Sequence, residues 1–513
     1  MREVNEAYVI SDLHIGGTTG FQMFAAGAQF AELISHILGR MDEIKQTASD
    51  SFEVLLVING DFVDFLAEAP KKYFTTQEAD GILESILTQR PEFQEVTKGL
   101  QRFVARPGAR LVVVLGNHDL ELTLPECREK FLQLVTGGVE SRRSRVELAF
   151  EGWGYRFSVG GQRALCLHGN ETDPMNFTRY DELNRIQGDL IMLGESRFAE
   201  EWVPSGGTKL VVDAVNPLKK DYPFVDLLHP LIPLVPAVVG LLDYRNIRYV
   251  DDAIAMAAVS AKRELTRPAS EKRMLSGLED WWTGAGRGQD TTESIIDDVE
   301  FAMRQNRIDD VILQNGDDAA LLGFSDWIRA AKDVARRCRD EIGEVYDQAA
   351  QKLKDARRTI HCEAMREILS SVVATSMDSP FRLSKEDAGI EARIGYSYEV
   401  VLMGHTHHRR FGQRADGREG LFINTGCWAD RMTLLKKDVD DATRFRKIYD
   451  AFMCGERSAL KAPGLQLVRQ ECPVARISRT TNGAQVTLGA VEMHNGSPQV
   501  QFDVPEFTRV LSR

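Results

Sequence analysis

Short apolar runs that stop at turn-forming polar residues constrain this chain most. Ala7–Ile10, Val54–Ile58 and Leu111–Leu115 are each followed within two residues by Asp, Gly or Asn. Such runs read as buried strands whose C-terminal ends carry loops. Helical segments over Phe21–Gln46 and Ala79–Ala105 lie between them. This alternation predicts an α/β core with covered sheet faces. A strand-rich stretch follows at Arg145–Phe150, Tyr155–Val159 and Arg163–His168, with Gly152, Gly154, Gly160 and Gly161 at its turns. The pattern resumes at Tyr398–Met403, Gly420–Asn424, Val474–Arg479 and Ala484–Glu492, the last two joined by Asn482-Gly483.

The intervening region differs. Trp327, Ala331, Val334, Cys338, Ile342, Val345, Ala349 and Leu353 recur at three- and four-residue steps, which predicts one long amphipathic helix. Val250–Leu265, Ser294–Asn306 and Cys362–Thr375 also read as helices, and Arg267–Asp290 as a loop. A helical insertion over 181–392 therefore divides a core made of 1–180 and 393–513. The chain's 513 residues are enough for such an arrangement, at roughly 100–200 residues per folding unit. Within the insertion, Leu227–Leu242 is the most apolar stretch. It is shorter than the roughly 20 residues of a membrane span, and Pro230, Pro233 and Pro236 interrupt it. It reads as a buried or lid-forming segment, or as one that dips into a bilayer or holds an acyl chain.

A net charge of -13 gives no general attraction to nucleic acid, which argues against a broad DNA-binding surface. Seven scattered cysteines without a CxxC pair suggest neither a disulfide framework nor a Cys-rich zinc site. The N-terminus lacks the positive and apolar regions of a signal peptide. A cytoplasmic location is expected, with peripheral membrane contact left open.

Five short motifs sit at strand ends. Asp12 and His14, two apart, face one side if the backbone is extended. Asp61 follows Asn59-Gly60, where its carboxylate can bridge two cations. Asp64 either supports a ligand from behind or starts a helix. In Gly116-Asn117-His118-Asp119, Asn117 offers a neutral oxygen and His118 a proton or hydrogen bond for a phosphate, with Asp119 available to orient the ring. His168 ends an apolar run, and His405 and His407 follow another. Nitrogen and oxygen donors without thiolates suit Mn, Fe, Zn or Co.

This ordered set resembles that of the calcineurin-like metallophosphoesterases, D-x-H, G-D-x-x-D, G-N-H-D, H and G-H-x-H, with every position filled. The resemblance covers about residues 1–180 and 393–500. It implies an α/β fold, a four-layered α/β/β/α sandwich, here with a large helical insertion. It also implies two divalent metal ions, Mn foremost. Asp12, His14 and His407 would hold one, Asn117, His168 and His405 the other, with Asp61 bridging and His118 facing the scissile phosphate. Within the family the nearest likeness is to the UDP-2,3-diacylglucosamine pyrophosphohydrolases. Those enzymes carry a helical insertion as a lid over an acylated substrate, and usually have Arg where this chain has His118.

Two cations about 3.5–4 Å apart clamp a phosphoryl group and acidify a water for in-line attack. No Ser or Cys stands beside a base as an alternative nucleophile. The expected reaction is hydrolysis of a phosphodiester, pyrophosphate or monoester in a phosphorylated small molecule or a lipid-linked substrate. Arg179, Asn184 and Arg185, just beyond His168, are candidate substrate contacts. A nuclease holding phosphates on Arg142-Arg143-Ser144-Arg145 is a competing reading. So is a non-catalytic metal- or nucleotide-binding scaffold, although such relatives normally lose ligands and none is missing here.

Overall fold

A computed structural model describes residues 1–228 and 397–512, apart from 19, 48–51, 69–72, 174, 197–198, 200–201, 415–418 and 463, together with scattered positions from 238 to 395. The expected helices Val250–Leu265 and Ser294–Asn306, the long helix through Trp327 and most of Leu227–Leu242 lie outside the described residues. Among the described residues, no helix is long and apolar enough to cross a membrane.

The N-terminal part runs β1 (Arg2–Val4), β2 (Glu6–Ile10), α1 (Gly27–Thr47), β3 (Val54–Asn59), α2 (Ala79–Glu84), α3 (Pro91–Ala105), β4 (Ala109–Val114), α4 (Pro125–Thr136), β5 (Val146–Ala149), β6 (Tyr155–Val159), β7 (Gln162–Cys166) and α5 (Tyr180–Leu193). The C-terminal part adds β8 (Val400–Met403), β9 (Arg409–Gln413), β10 (Leu421–Thr425), β11 (Arg431–Met432), α6 (Ala442–Cys454), β12 (Val468–Arg469), β13 (Pro473–Thr480), β14 (Gly483–His494), β15 (Ser497–Gln501) and β16 (Thr508–Ser512). Among the described residues, one sheet has six strands in the order β1-β6-β7-β8-β10-β9. The other has eight, in the order β15-β14-β13-β2-β3-β4-β5 with β16 on β14. Each sheet combines strands from both parts: β7 pairs with β8 in parallel, and β2 pairs with β13 antiparallel.

Period-two alternation decides the layers. Val9, Val57 and Val112 are in register across β2, β3 and β4, and they pack in one core with Phe157, Cys166, Leu402 and Ile423 of the other sheet. Their neighbours Ile10, Ile58 and Val113 face the opposite way, against Phe30, Leu33, Ile37, Val96, Leu100 and Phe103 of α1 and α3. The mixed α/β fold is thus a pair of facing sheets with helices outside the larger one. On the outer face of the smaller sheet, Leu165, Val401, Met403 and Phe422 are buried with Ile394. The expected fourth, helical layer there falls largely outside the described residues.

Two helix expectations are corrected. The first helix begins at Gly27, not Phe21. Ala79–Ala105 is not continuous, because Pro91 has no N–H to donate and forces Arg90 into an extended conformation (φ -97°, ψ 113°). A π-helical stretch, Ser85–Gln89, precedes this break.

Part of the expected insertion lies against the core. The Tyr73 hydroxyl donates to Asp213, Asn216 Nδ2 donates to the Leu66 carbonyl, and Arg457 pairs with Asp226. Leu228 forms a parallel bridge with Met432.

Candidate metal centre

The C-terminal ends of β2, β3 and β4 in one sheet and of β7 and β8 in the other point to one place, where open α/β sheets hold ligands. The loops beyond them are bonded to one another. Asp12 N donates to Gly60 O, His14 N to Asp61 O, Phe65 N to His118 O and Gly404 N to His168 O. Asn59 Nδ2 crosses between the sheets to Leu167 O at 2.7 Å.

The backbone that presents the ligands is not extended. Asp12 (φ 53°), His14 (φ 49°), Asp61 (φ 49°), His405 (φ 68°) and His407 (φ 58°) are all left-handed. Such conformations are sparsely populated for residues with a Cβ and concentrate where function over-determines the structure. The expectation that Asp12 and His14 converge because the strand continues is therefore incorrect. They converge because the chain has left the strand and coils tightly.

Asp12, His14, Asp61 and His407 each offer a ligand atom, all within 4.8 Å of one another. His407 Nε2 lies 3.1 Å from His14 Nε2 and 3.2 Å from Asp12 Oδ1. Asp61 Oδ2 lies 3.6 Å from His14 Nε2 and 3.3 Å from His168 Nε2, between the two expected ligand sets. Its other oxygen, Oδ1, accepts the backbone N–H of His118 at 2.9 Å. Asp12 accepts the backbone N–H of His405 at 3.1 Å.

These residues fit divalent cations. Among the described residues, Asn117 Oδ1 and His168 Nε2 are buried without a hydrogen-bond partner, an arrangement that is costly unless something else meets them. Although burial opposes a charge on His168, Asp61 beside it raises its pKa to about 10. The Asp61 carboxyl is held well below the usual range: burial again opposes the charge, and His168 and His118 outweigh it. A cation would meet the same concentrated negative potential and displace those protons.

His118 faces this cluster with its Nδ1 3.0 Å from Asp64 Oδ1, and Asp64 Oδ2 lies 3.7 Å from His14 Nδ1. Asp64 also caps a short 3-10 helix through Ala67 N, which is the helix-start reading of that residue. The carboxylate that orients the His118 ring is therefore Asp64, not Asp119. Asp119 is committed elsewhere, accepting Gly116 N at 2.7 Å and Phe62 N at 2.8 Å. Burial, then Asp61, pushes its pKa up to about 7. Burial likewise opposes charge on His118, but Asp64 and Asp61 raise it to about 9.

Sequence reasoning missed two carboxylates. Glu171 accepts His168 N at 3.2 Å and Gly169 N at 2.7 Å, and Asp173 Oδ2 lies 2.8 Å from His405 Nε2. Both follow the lone His motif closely, but no recurrent spacing marks them. Of the candidate substrate contacts, Arg179 is buried at the start of α5, 3.4 Å from Glu182, while Asn184 and Arg185 lie on its exposed face. The Arg142–Arg145 cluster makes intramolecular contacts: Arg142 with Thr136 O, Arg143 with Glu129, and Arg145 with Val104 O and Ala105 O.

Residues 7–246 match the family model of the calcineurin-like phosphoesterases. That match supports the family assignment carried by the motifs, and with the Asp/His cluster it indicates metal-dependent phosphoester hydrolysis in general. The matched span holds the first four motifs; from beyond it the fold brings His407 of the fifth into the cluster with Asp12, His14 and Asp61, and sets the His405 ring beside His168, with centroids 5.3 Å apart. No curated protein and no solved structure matches the chain.

Proposed function

We propose that the chain hydrolyses a phosphodiester, pyrophosphate or phosphomonoester bond using two divalent cations, manganese foremost. Asp12, His14 and His407 would hold one, and Asn117, His168 and His405 the other. The observation that carries this reading is Asp61, whose Oδ2 lies between imidazoles of both sets while Oδ1 is fixed by a backbone N–H. When bound, such cations draw charge from phosphoryl oxygens and acidify a water for in-line attack. Asp64 fixes the His118 ring through Nδ1, leaving its other edge to donate to a phosphate oxygen or leaving group. Burial pushes the thiols of Cys166 and Cys427 up and away from nucleophilic thiolate, which supports direct attack by water.

A small or lipid-linked substrate fits better than a nucleic acid, because the Arg142–Arg145 cluster already contacts its own chain. The lipid-linked version is favoured by α5. It begins at buried Arg179 and ends in Ile191, Met192 and Leu193, each at least 70% exposed. Its 14 residues span roughly 21 Å, enough to join a phosphate site to an apolar surface.

The test is metal-dependent hydrolysis of bis(p-nitrophenyl) phosphate. Full-length protein should be active with manganese, inactive after chelation, and inactive as Asp61→Asn. Two bound cations without turnover would instead make the chain a binding scaffold.

A further inference from the structure

Each ligand imidazole must present one nitrogen's lone pair, so its other nitrogen needs a hydrogen-bond acceptor to fix tautomer and ring plane. His168 meets this requirement with Nδ1 at 2.9 Å from Asn59 O, and His14 turns its Nδ1 to the Asp64 side, 3.7 Å from Oδ2 and short of a hydrogen bond. Their Nε2 atoms face Asp61. His405 has the reverse arrangement. Its Nε2 lies 2.8 Å from Asp173 Oδ2, so the nitrogen left to face the centre is Nδ1.

We propose that Asp173 is the positioning residue of the second cation site, locking His405 with its proton on Nε2 and its Nδ1 lone pair toward the cation. This rests on the metal-centre reading above. The carboxylate is itself preorganised. Oδ1 accepts Met175 N at 2.8 Å, Oδ2 also accepts Asn176 Nδ2 at 2.6 Å, and its own backbone N–H donates to Asn170 O at 3.2 Å. The loop that carries it wraps closely around the ring: a Cβ on Gly169 would stand 2.9 Å from His405 Cβ. The contact also joins the two parts of the core, since Asp173 follows the fourth motif and His405 opens the fifth.

Calorimetric titration of metal-stripped full-length protein with Mn²⁺ reads this directly. Asp173→Ala should weaken one of the two cations by about 10–100-fold and leave the other as in wild type. Asp173→Asn, which keeps the shape and one carbonyl oxygen able to accept the Nε2–H but puts an NH2 where Met175 N finds its acceptor, should weaken the same cation by less, and it carries the test if the Ala variant misfolds. Unchanged binding of both cations in these variants, or equal loss of both, overturns the proposal. Wild-type protein that takes up no cation overturns the metal centre itself, and the inference with it.

Discussion

His118 shows what a single ring contact decides. Its Nδ1 is tied to Asp64, and its backbone N–H to Asp61, so the side chain is positioned by the centre without serving as a ligand in either expected set. His118→Ala should therefore retain both cations, counted by elemental analysis, while turnover of an activated phosphodiester falls about 10²-fold or more. Loss of metal would make it a ligand. Glu121 behaves differently. It is fully buried, and burial pushes its pKa up to about 8 even though Thr75 N donates to it. The folded state thus keeps a proton that the unfolded chain releases from its ordinary value of 4.5. Its contribution to stability falls as pH rises from about 4.5 to about 8. Glu121→Gln, whose amide oxygen can still accept Thr75 N–H, should match wild type near pH 4.5 and gain on the order of 1–3 kcal/mol by pH 8. Thermal midpoints of both proteins across that range test it, and a constant difference would count against it. That Asp12, His14, Asp61 and His407 come together was legible in the sequence at this scale, because few chemistries need Asp and His in such ordered motifs. Asp173 and the Asp64–His118 contact were not, since a carboxylate's partner depends on loop geometry.

At the scale of elements, the strands were read well because apolar alternation and turn residues are local signals. β6 matches its expected bounds, and the other expected strands differ by a residue or two at their ends. The left-handed ligand loops were invisible, because nothing in Asp-x-His or His-x-His distinguishes a coiled backbone from an extended one. These loops leave no spare room. A methyl group on Gly116 would collide with both the Asp61 carboxylate and its backbone N. Gly116→Ala should therefore displace the shared carboxylate from across the β4 loop, lose at least one cation, and destabilise the fold by about 1–3 kcal/mol. Metal content and urea unfolding measure the two effects separately. A variant with wild-type metal content would mean that the β3 and β4 loops can move apart without disturbing the centre.

The whole molecule depends on pairing across the chain's two parts. Residues 7–246 contain most of the core helices and the first four motifs, yet, among the described residues, only six of the fourteen strands of the two main sheets, β2 to β7. Without the C-terminal part, β2 loses β13 and β7 loses β8. Both strands would then become open edges flanked by apolar surface, which favours aggregation. Ala7, Val9, Phe157 and Cys166 would lose Val400, Leu402, Ala475 and Ile477 from their shared core. The centre would lose His405 and His407 at once. A fragment of residues 1–246 should therefore be insoluble, or should unfold without a cooperative transition, and should not bind two cations. Co-expression with residues 393–513 should recover a soluble complex, because β8 docks on β7 and β13 on β2 by ladders that need no covalent connection to the first part. Size-exclusion chromatography and metal counting on the co-expressed pair are the measurements. Cooperative unfolding of 1–246 alone would show that this part carries its own core and that the sheet closure across the chain is dispensable. Failure of the two fragments to associate, with each aggregating separately, would instead assign folding of the sheets to the covalent connection through the insertion.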